Sequence, residues 1–269
     1  MTATAQTRVP RVPGGRYGLA QAARMEWIKL RSLRSTWWTL GITVCGATAM
    51  AVMIGINTHN AGGDLTNNAL AGVVPGLLLT GVLGVLMMTS EYTSGMIRAT
   101  LAAVPRRWLV LAAKAGVFGI VALAAGEAAA FISFVAGGAA LRHGIAAPAL
   151  TQPGALRAVL LAGASFSLVG LLGLGLGAIV RHTAAAIAVL VGGVYLAAQF
   201  VGAVAQGAAG YMPVLIIANS LATTKPENCS PGGALCPHFL SPWAGLGMLC
   251  LYAAVVLGIG AWLLARRDA

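Results

Sequence analysis

Charged side chains are rare in this sequence, and one short stretch that concentrates them is a candidate for binding another protein. Residues 91–114, EYTSGMIRATLAAVPRRWLVLAAK, carry one glutamate, three arginines and a lysine, whereas charged residues make up only 9% of the chain. Thr93 or Ser94 can cap a short helix here, and Pro105 ends it. Its apolar edge consists of Met96, Ile97, Leu101 and Val104. A fully solvated loop would not need that edge, so we expect a partner to dock on it; a loop that only sets membrane topology is the alternative.

Glu127 is a second candidate, because it is the one acidic residue in the middle of a long apolar run. A carboxylate is costly to bury in lipid, so this side chain should face the protein interior or a wet cavity. There it could line a translocation path or take up a proton. The alternative is a structural carboxyl that is neutral or hydrogen-bonded.

The four cysteines fall into two pairs by position. Cys45 and Cys250 lie in apolar runs, where we expect them to pack as small apolar residues. Cys229 and Cys236 share a long loop, in which a disulfide between them is chemically feasible; the sequence leaves its formation open. Cys236 and His238 are close enough to suggest a soft-metal site, but no second group of ligands lies nearby, so no metal site is expected.

Signatures of nucleotide-binding and hydrolytic enzymes are absent from the sequence. It contains no glycine-rich loop ending in Gly-Lys-Ser/Thr and no His-Glu-x-x-His. The stretch GASFS at 163–167 departs from the Gly-x-Ser-x-Gly elbow and lies inside an apolar run. No catalytic residue is therefore assigned. Two functions remain as alternatives for the chain. One is a membrane-embedded enzyme using Glu127, His143 or His238, and the other is a non-transporting scaffold or sensor.

Long apolar helices must position these residues. The chain is 58% hydrophobic, while soluble domains are about 25% charged. Its apolar runs of about 20 residues match the thickness of a hydrocarbon core at 1.5 Å per helical residue. We therefore predict an all-α membrane protein, with a cytoplasmic leader at 1–36 and a six-span transmembrane domain at 37–269. Six spans are predicted, at 37–56, 70–90, 109–141, 157–180, 184–205 and 243–264.

The positive charge is distributed as expected for membrane orientation. A net charge of +11 could indicate a nucleic-acid partner, but 14 of the 17 basic residues lie before the first span, in the segments after spans two and four, or at the C-terminus. This asymmetry follows the positive-inside rule. It predicts that both termini are cytoplasmic, that the bilayer is a partner, and that nucleic acid is not. The first apolar run is too long, and its basic leader too extended, for a cleavable signal peptide.

Two further helices are expected to lie along the membrane instead of crossing it. Before the first span, one helical arc is formed by Leu19, Ala23, Trp27, Leu30, Leu33 and Trp37. Basic residues flank this arc, so the helix should lie in the cytoplasmic interface; a solvated leader is the alternative. Between spans five and six, YMPVLIIANSLA is too short to cross and should form a re-entrant or interfacial helix. Glycines in GLLGLGLG at 170–177 should allow close helix packing.

Two stretches resemble the membrane subunits of bacterial type-2 ABC transporters, which include bacitracin-resistance-like, antibiotic and multidrug exporters. They are EWIKLRSLRSTWW at 26–38 and SEYTSGMIRATLAAVPRRWLVLAAK at 90–114. In that family an interfacial helix precedes span one, a coupling helix after span two fits a cleft on a cytoplasmic ATPase, and re-entrant helices separate spans five and six. The resemblance implies an interfacial helix containing Glu26, Trp27, Lys29 and Arg31. It implies an ATPase contact formed by Glu91, Gly95, Arg98, Thr100, Leu101, Pro105 and Arg106.

The resemblance also implies a function and partners. The chain would be the permease of an ATP-driven exporter in the bacterial cytoplasmic membrane, and would not itself be an enzyme or bind a cofactor. A separate ATPase would bind ATP and Mg, and a second membrane subunit, identical or a sister chain, would complete the transporter. A mostly apolar interior favours a hydrophobic or amphiphilic cargo such as a drug, an antibiotic or a lipid-like molecule.

Overall fold

The computed structural model describes residues 18–59, 63–103, 107–142, 144–204, 206–223 and 240–266. Throughout these ranges the regular structure is helical, without strands. The first half contains α1 Leu19–Ser32, α2 Arg34–Asn57, α3 Leu65–Ala69, α4 Val73–Thr93, α5 Met96–Ala103 and α6 Arg107–Ala139. The second half contains α7 Ala155–Val180, α8 Thr183–Val191, a π turn Gly192–Leu196, α9 Ala197–Val204, α10 Gln206–Ala209, α11 Pro213–Leu221 and α12 Pro242–Arg266.

Five of these helices, α2, α4, α6, α7 and α12, are long and apolar enough to cross a membrane, with mean hydropathy of 1.9 to 2.2. The prediction of an all-helical, multi-pass membrane protein is confirmed. The predicted fifth span at 184–205 corresponds to α8, the π turn and α9, whose apolar helix Thr183–Leu196 is shorter than the other five. The six-span count therefore stays a prediction.

Helix α7 lies at the centre of the bundle, where it packs against α4, α6 and α12. Its approach to α4 depends on glycine. A Cβ added at Gly173 would overlap the carbonyl oxygen of Gly81, and one added at Gly84 would overlap that of Gly170. Without side chains at these positions the two backbones come into direct contact, as small residues allow in membranes. The predicted close packing of the 170–177 glycines is confirmed.

A tight turn at Arg181 and His182 joins α7 to α8. Arg181 adopts a left-handed backbone conformation with φ of 60°, and its guanidinium lies 5.2 Å from the ring centroid of Tyr92. The Thr183 hydroxyl donates to Thr89 Oγ1 at 2.9 Å. Both contacts attach the turn to the last turns of α4.

At the other end of the bundle, α3 and α11 are connected through Asp64. Its carboxylate accepts a hydrogen bond from the Asn67 backbone at the start of α3, and another from the Thr223 hydroxyl at 2.8 Å. Arg157 donates to the Ala222 carbonyl at 2.7 Å. Helix α11 supplies the short apolar helix expected between spans five and six, while its re-entry into the membrane stays a prediction.

The cysteines differ from expectation in one pair. Cys45 and Cys250 are exposed on helix surfaces, whereas the sequence predicts that they pack as small apolar residues. Cys229 and Cys236, whose disulfide the sequence leaves open, lie outside the described residues.

Candidate functional site

Four segments meet at one end of the bundle: α1, the last turn of α4, α5, and the second turn of α6. Helix α1 packs against α6 and presents Ala22, Glu26 and Leu30 as its buried face. This face differs from the predicted arc, since Leu19, Trp27, Leu33 and Trp37 are all more than 40% exposed. These four residues of the arc face outward, while Leu30 of the arc and Glu26 face inward.

Glu26, Lys29, Glu91 and Lys114 form a closed set of ion pairs, which we call the ion cluster. Lys114 Nζ lies 2.6 Å from Glu26 Oε2 and 2.9 Å from Glu91 Oε1. Lys29 Nζ lies 3.2 Å from Glu26 Oε1 and 3.0 Å from Glu91 Oε1. Each lysine therefore bridges both glutamates, and the formal charges of the cluster cancel.

The ion cluster is shielded from solvent. The side chains of Lys114, Glu26 and Glu91 are 2%, 1% and 6% exposed, and only Lys29 retains appreciable exposure, at 22%. Removing ions from water costs several kcal/mol each, so each charge here depends on its partners to stay buried. A cavity of about 420 Å³, lined by Leu33, Met87 and Met96, borders the cluster.

The environment of Lys29 raises the pKa of its ammonium above 10.5. Burial alone lowers this pKa, but the charges of Glu26 and Glu91 and the hydrogen bonds to their carboxylates raise it by more. Lys29 is thus a cation at all physiological pH values.

Helix α5 is attached to the ion cluster by a further hydrogen bond. Lys29 Nζ donates to Thr100 Oγ1 at 3.3 Å. Ile97 and Thr100 are buried toward the bundle, whereas Arg98, Ala99 and Ala102 are exposed on the opposite side of α5. Met96 is also exposed, but it lies at the start of α5 and lines the cavity beside the ion cluster. One face of α5 is therefore anchored and the other is free to contact a partner.

The turn from α4 into α5 is fixed by Gly95, whose φ of 71° favours glycine. Ser94 Oγ donates to the Ser90 carbonyl at 2.7 Å, and so caps the end of α4. The predicted role of Thr93 or Ser94 as a cap for α5 is wrong, because α4 continues to Thr93 and α5 begins only at Met96.

The structure brings together residues from both stretches that the sequence singles out. Glu26 and Lys29 from the predicted interfacial helix meet Glu91 and Thr100 from the predicted coupling segment. We expected Glu91 and Thr100 on the partner-binding surface, but both are buried. Gly95 and Arg98 remain exposed, as do Trp27 and Arg31 on α1. Pro105 and Arg106 lie outside the described residues, as does the Leu101 side chain.

From the sequence alone, Lys114 contributes only to the positive charge of a cytoplasmic segment, and its place in the ion cluster is not predicted. A lysine roughly two turns inside an apolar run needs a partner, and that placement could have indicated a buried ion pair.

Glu127 is separate from the ion cluster, because it lies about 20 Å further along α6 at 1.5 Å per residue. Among the described residues, no three or more His, Cys, Asp or Glu side chains form a group that could hold a metal ion.

No protein-family model matches the chain, and no curated protein shows significant sequence similarity to it. The resemblance to type-2 ABC permeases therefore depends on the two quoted stretches and stays a prediction.

Proposed function

We propose that this protein is the membrane-spanning permease subunit of an ATP-driven exporter in the bacterial cytoplasmic membrane. One observation supports this function above the others. Helix α5 lies between two long membrane helices, presents Arg98 outward, and is bonded through Thr100 to an ion cluster shared with α1, α4 and α6. In this arrangement, a displacement of α5 by a bound partner would be transmitted to the membrane-spanning helices.

The partner in this proposal is a separate cytoplasmic ATPase that binds ATP and Mg and contacts the outer face of α5. Closure of the ATPase would displace α5. Because separating the buried charges costs several kcal/mol, α5, α1 and the adjoining ends of α4 and α6 would move together. The hydrogen bond from Thr183 to Thr89 would extend the motion from α4 to α8. Coupling requires that the ATPase contact α5 differently in its two states.

The rest of the architecture follows from this assignment. In it, α8, the π turn and α9 make the fifth of six crossings, α11 re-enters the membrane, and the α1/α5 end faces the cytoplasm together with both termini. A second membrane subunit, identical or a sister chain, pairs with this one. The cargo is hydrophobic or amphiphilic, in keeping with the apolar helices.

Affinity purification of the tagged full chain from mild-detergent extracts of native membranes tests the proposal. We expect an ATP-hydrolysing protein to co-purify with the wild type, and to be lost when Met96→Asp and Arg98→Glu are combined. Arg142→Glu, the same charge reversal at an exposed site in the loop after α6, is the matched control and should retain the ATPase. Retention of the ATPase by the double variant would contradict the role of α5, and its absence from the wild type would contradict the function.

A further inference from the structure

The carboxyl group of Glu127 rests directly on the backbone of α7. A Cβ built on Gly163 would lie 2.5 Å from both carboxylate oxygens and would overlap Glu127 Cδ. The neighbouring Gly126 is equally close, since a Cβ there would lie 2.6 Å from the Gly163 carbonyl oxygen and 2.6 Å from Phe166 Cβ. The two glycines thus allow the helices to approach and leave a space that the Glu127 carboxyl fills.

Among the described residues, no hydrogen-bond donor or cation pairs with this carboxyl. Its Oε2 atom is buried and accepts no hydrogen bond, and Glu127 takes part in none of the ion pairs among the described residues. Glu127 lies about 30 Å from the start of α6 and about 18 Å from its end, at 1.5 Å per residue. A carboxylate at such depth without a partner is strongly unfavourable. Either the carboxyl is protonated and neutral, or a cation or donor from outside the described residues pairs with it.

The surface around Glu127 is apolar. Leu123 on α6 and Leu160 on α7 are each 40% exposed, and Ile120 is 70% exposed. Ala124 and Ala128, on either side of Glu127, are also exposed. A ligand that complements this surface has one positive centre and an apolar body.

We propose that Glu127, held against Gly163, is the anionic group of a binding site for hydrophobic cations within the membrane. The inference rests on the proposed function where it identifies the exported cargo, which would then be a cationic amphiphile. Desolvation strengthens the attraction between the carboxylate and a cation, while the leucines and alanines contact the apolar body of the ligand.

Two ions of nearly the same shape and opposite charge provide the test. Binding of tetraphenylphosphonium and of tetraphenylborate is measured on the purified full chain in lipid nanodiscs, without nucleotide. In Glu127→Gln, which keeps the shape and removes the charge, we expect the phosphonium affinity to fall by about tenfold or more, with the borate affinity unchanged or higher. In Gly163→Ala, the added Cβ displaces the carboxyl, so the phosphonium affinity should also fall.

Equal phosphonium affinity in the wild type and Glu127→Gln would overturn the proposal. A parallel loss of both ions would overturn it too, because general damage to an apolar surface affects either charge. Thermal melting of each variant shows that it remains folded. The result is separable from the proposed function: the phosphonium assay needs no ATPase, and co-purification of the ATPase needs no cation.

Discussion

Lys114 is the residue on which the ion cluster depends most, because it is almost fully buried and lies within 2.9 Å of both glutamates. Its loss would leave Glu26 and Glu91 with only the partly exposed Lys29. Removing one partner of a buried charge pair is more damaging than replacing the whole set, since the remaining charge stays without compensation.

We expect Lys114→Met to lower the free energy of unfolding by about 3–5 kcal/mol, measured by denaturant titration in detergent. Glu91→Gln added to this variant should restore part of the loss, because it removes one uncompensated charge. The double-mutant cycle should therefore give a coupling energy of about 1 kcal/mol or more. Strict additivity of the two substitutions would show that the two side chains do not interact.

The raised pKa of Lys29 predicts a loss of stability in alkali. A folded-state pKa above the unfolded value stabilises the protein below 10.5, and this contribution is lost as the pH rises through the folded pKa. Unfolding free energies of the wild type and Lys29→Gln should therefore differ most below 10.5 and converge above it. A difference that stays constant across that range would contradict the ion pairing of Lys29.

Three of the four residues of the ion cluster are predicted from the sequence as site residues, but their arrangement is not. Glu26, Lys29 and Glu91 were assigned to surfaces that contact lipid or an ATPase. Their partners are up to 88 residues away in sequence, and spacing carries no information on such contacts. Only packing of α1 against α6 turns Glu26 inward.

Among the elements, α4 and α7 cross with their backbones in direct contact at glycines. We expect Gly173→Ala to destabilise the protein by about 1–3 kcal/mol, because the new Cβ would overlap the Gly81 carbonyl. Gly258→Ala on α12 is the matched control, since nothing lies within 4 Å of its added Cβ. The two variants are compared by denaturant titration, and equal stabilities would contradict direct backbone contact between α4 and α7.

Sequence patterns located the long helices well, because hydropathy and length alone define a membrane-crossing helix. They did not reveal the π turn at Gly192–Leu196. A hydropathy window is insensitive to a change in hydrogen-bond register, and Gly192 and Gly193 only weaken helix propensity. The Tyr195 hydroxyl at this turn donates to the Val74 carbonyl at 3.1 Å, a contact between distant segments.

For the whole molecule, the charge asymmetry predicts that the α1/α5 end faces the cytoplasm. Single cysteines at Arg98 and Arg142 in a cysteine-free background should differ in labelling by a membrane-impermeant thiol reagent. We expect the reagent to label position 142 in intact cells, and position 98 only after the membrane is opened. Labelling of position 98 in intact cells would reverse the topology.

The all-helical, multi-pass character of the molecule could be predicted because it follows from composition and run length. The ion cluster and the contact of Glu127 with Gly163 could not, since both depend on which faces of distant helices meet. The sequence predicts that a partner docks on the apolar edge formed by Met96, Ile97, Leu101 and Val104. The structure instead buries Ile97 against the bundle and leaves Met96 and Arg98 exposed.

Site-specific photo-crosslinking from the exposed start of α5 tests the central claim most directly. A photoreactive phenylalanine analogue replaces Met96 in the full chain, cells are irradiated, and the crosslinked species are identified by mass spectrometry. The same analogue at Trp243, exposed at the start of α12, is the control. We predict a crosslink from position 96 to a soluble ATP-binding protein and none from position 243. Crosslinks from position 96 only to lipid, or to proteins that do not bind ATP, would contradict the assignment of this chain as an exporter permease.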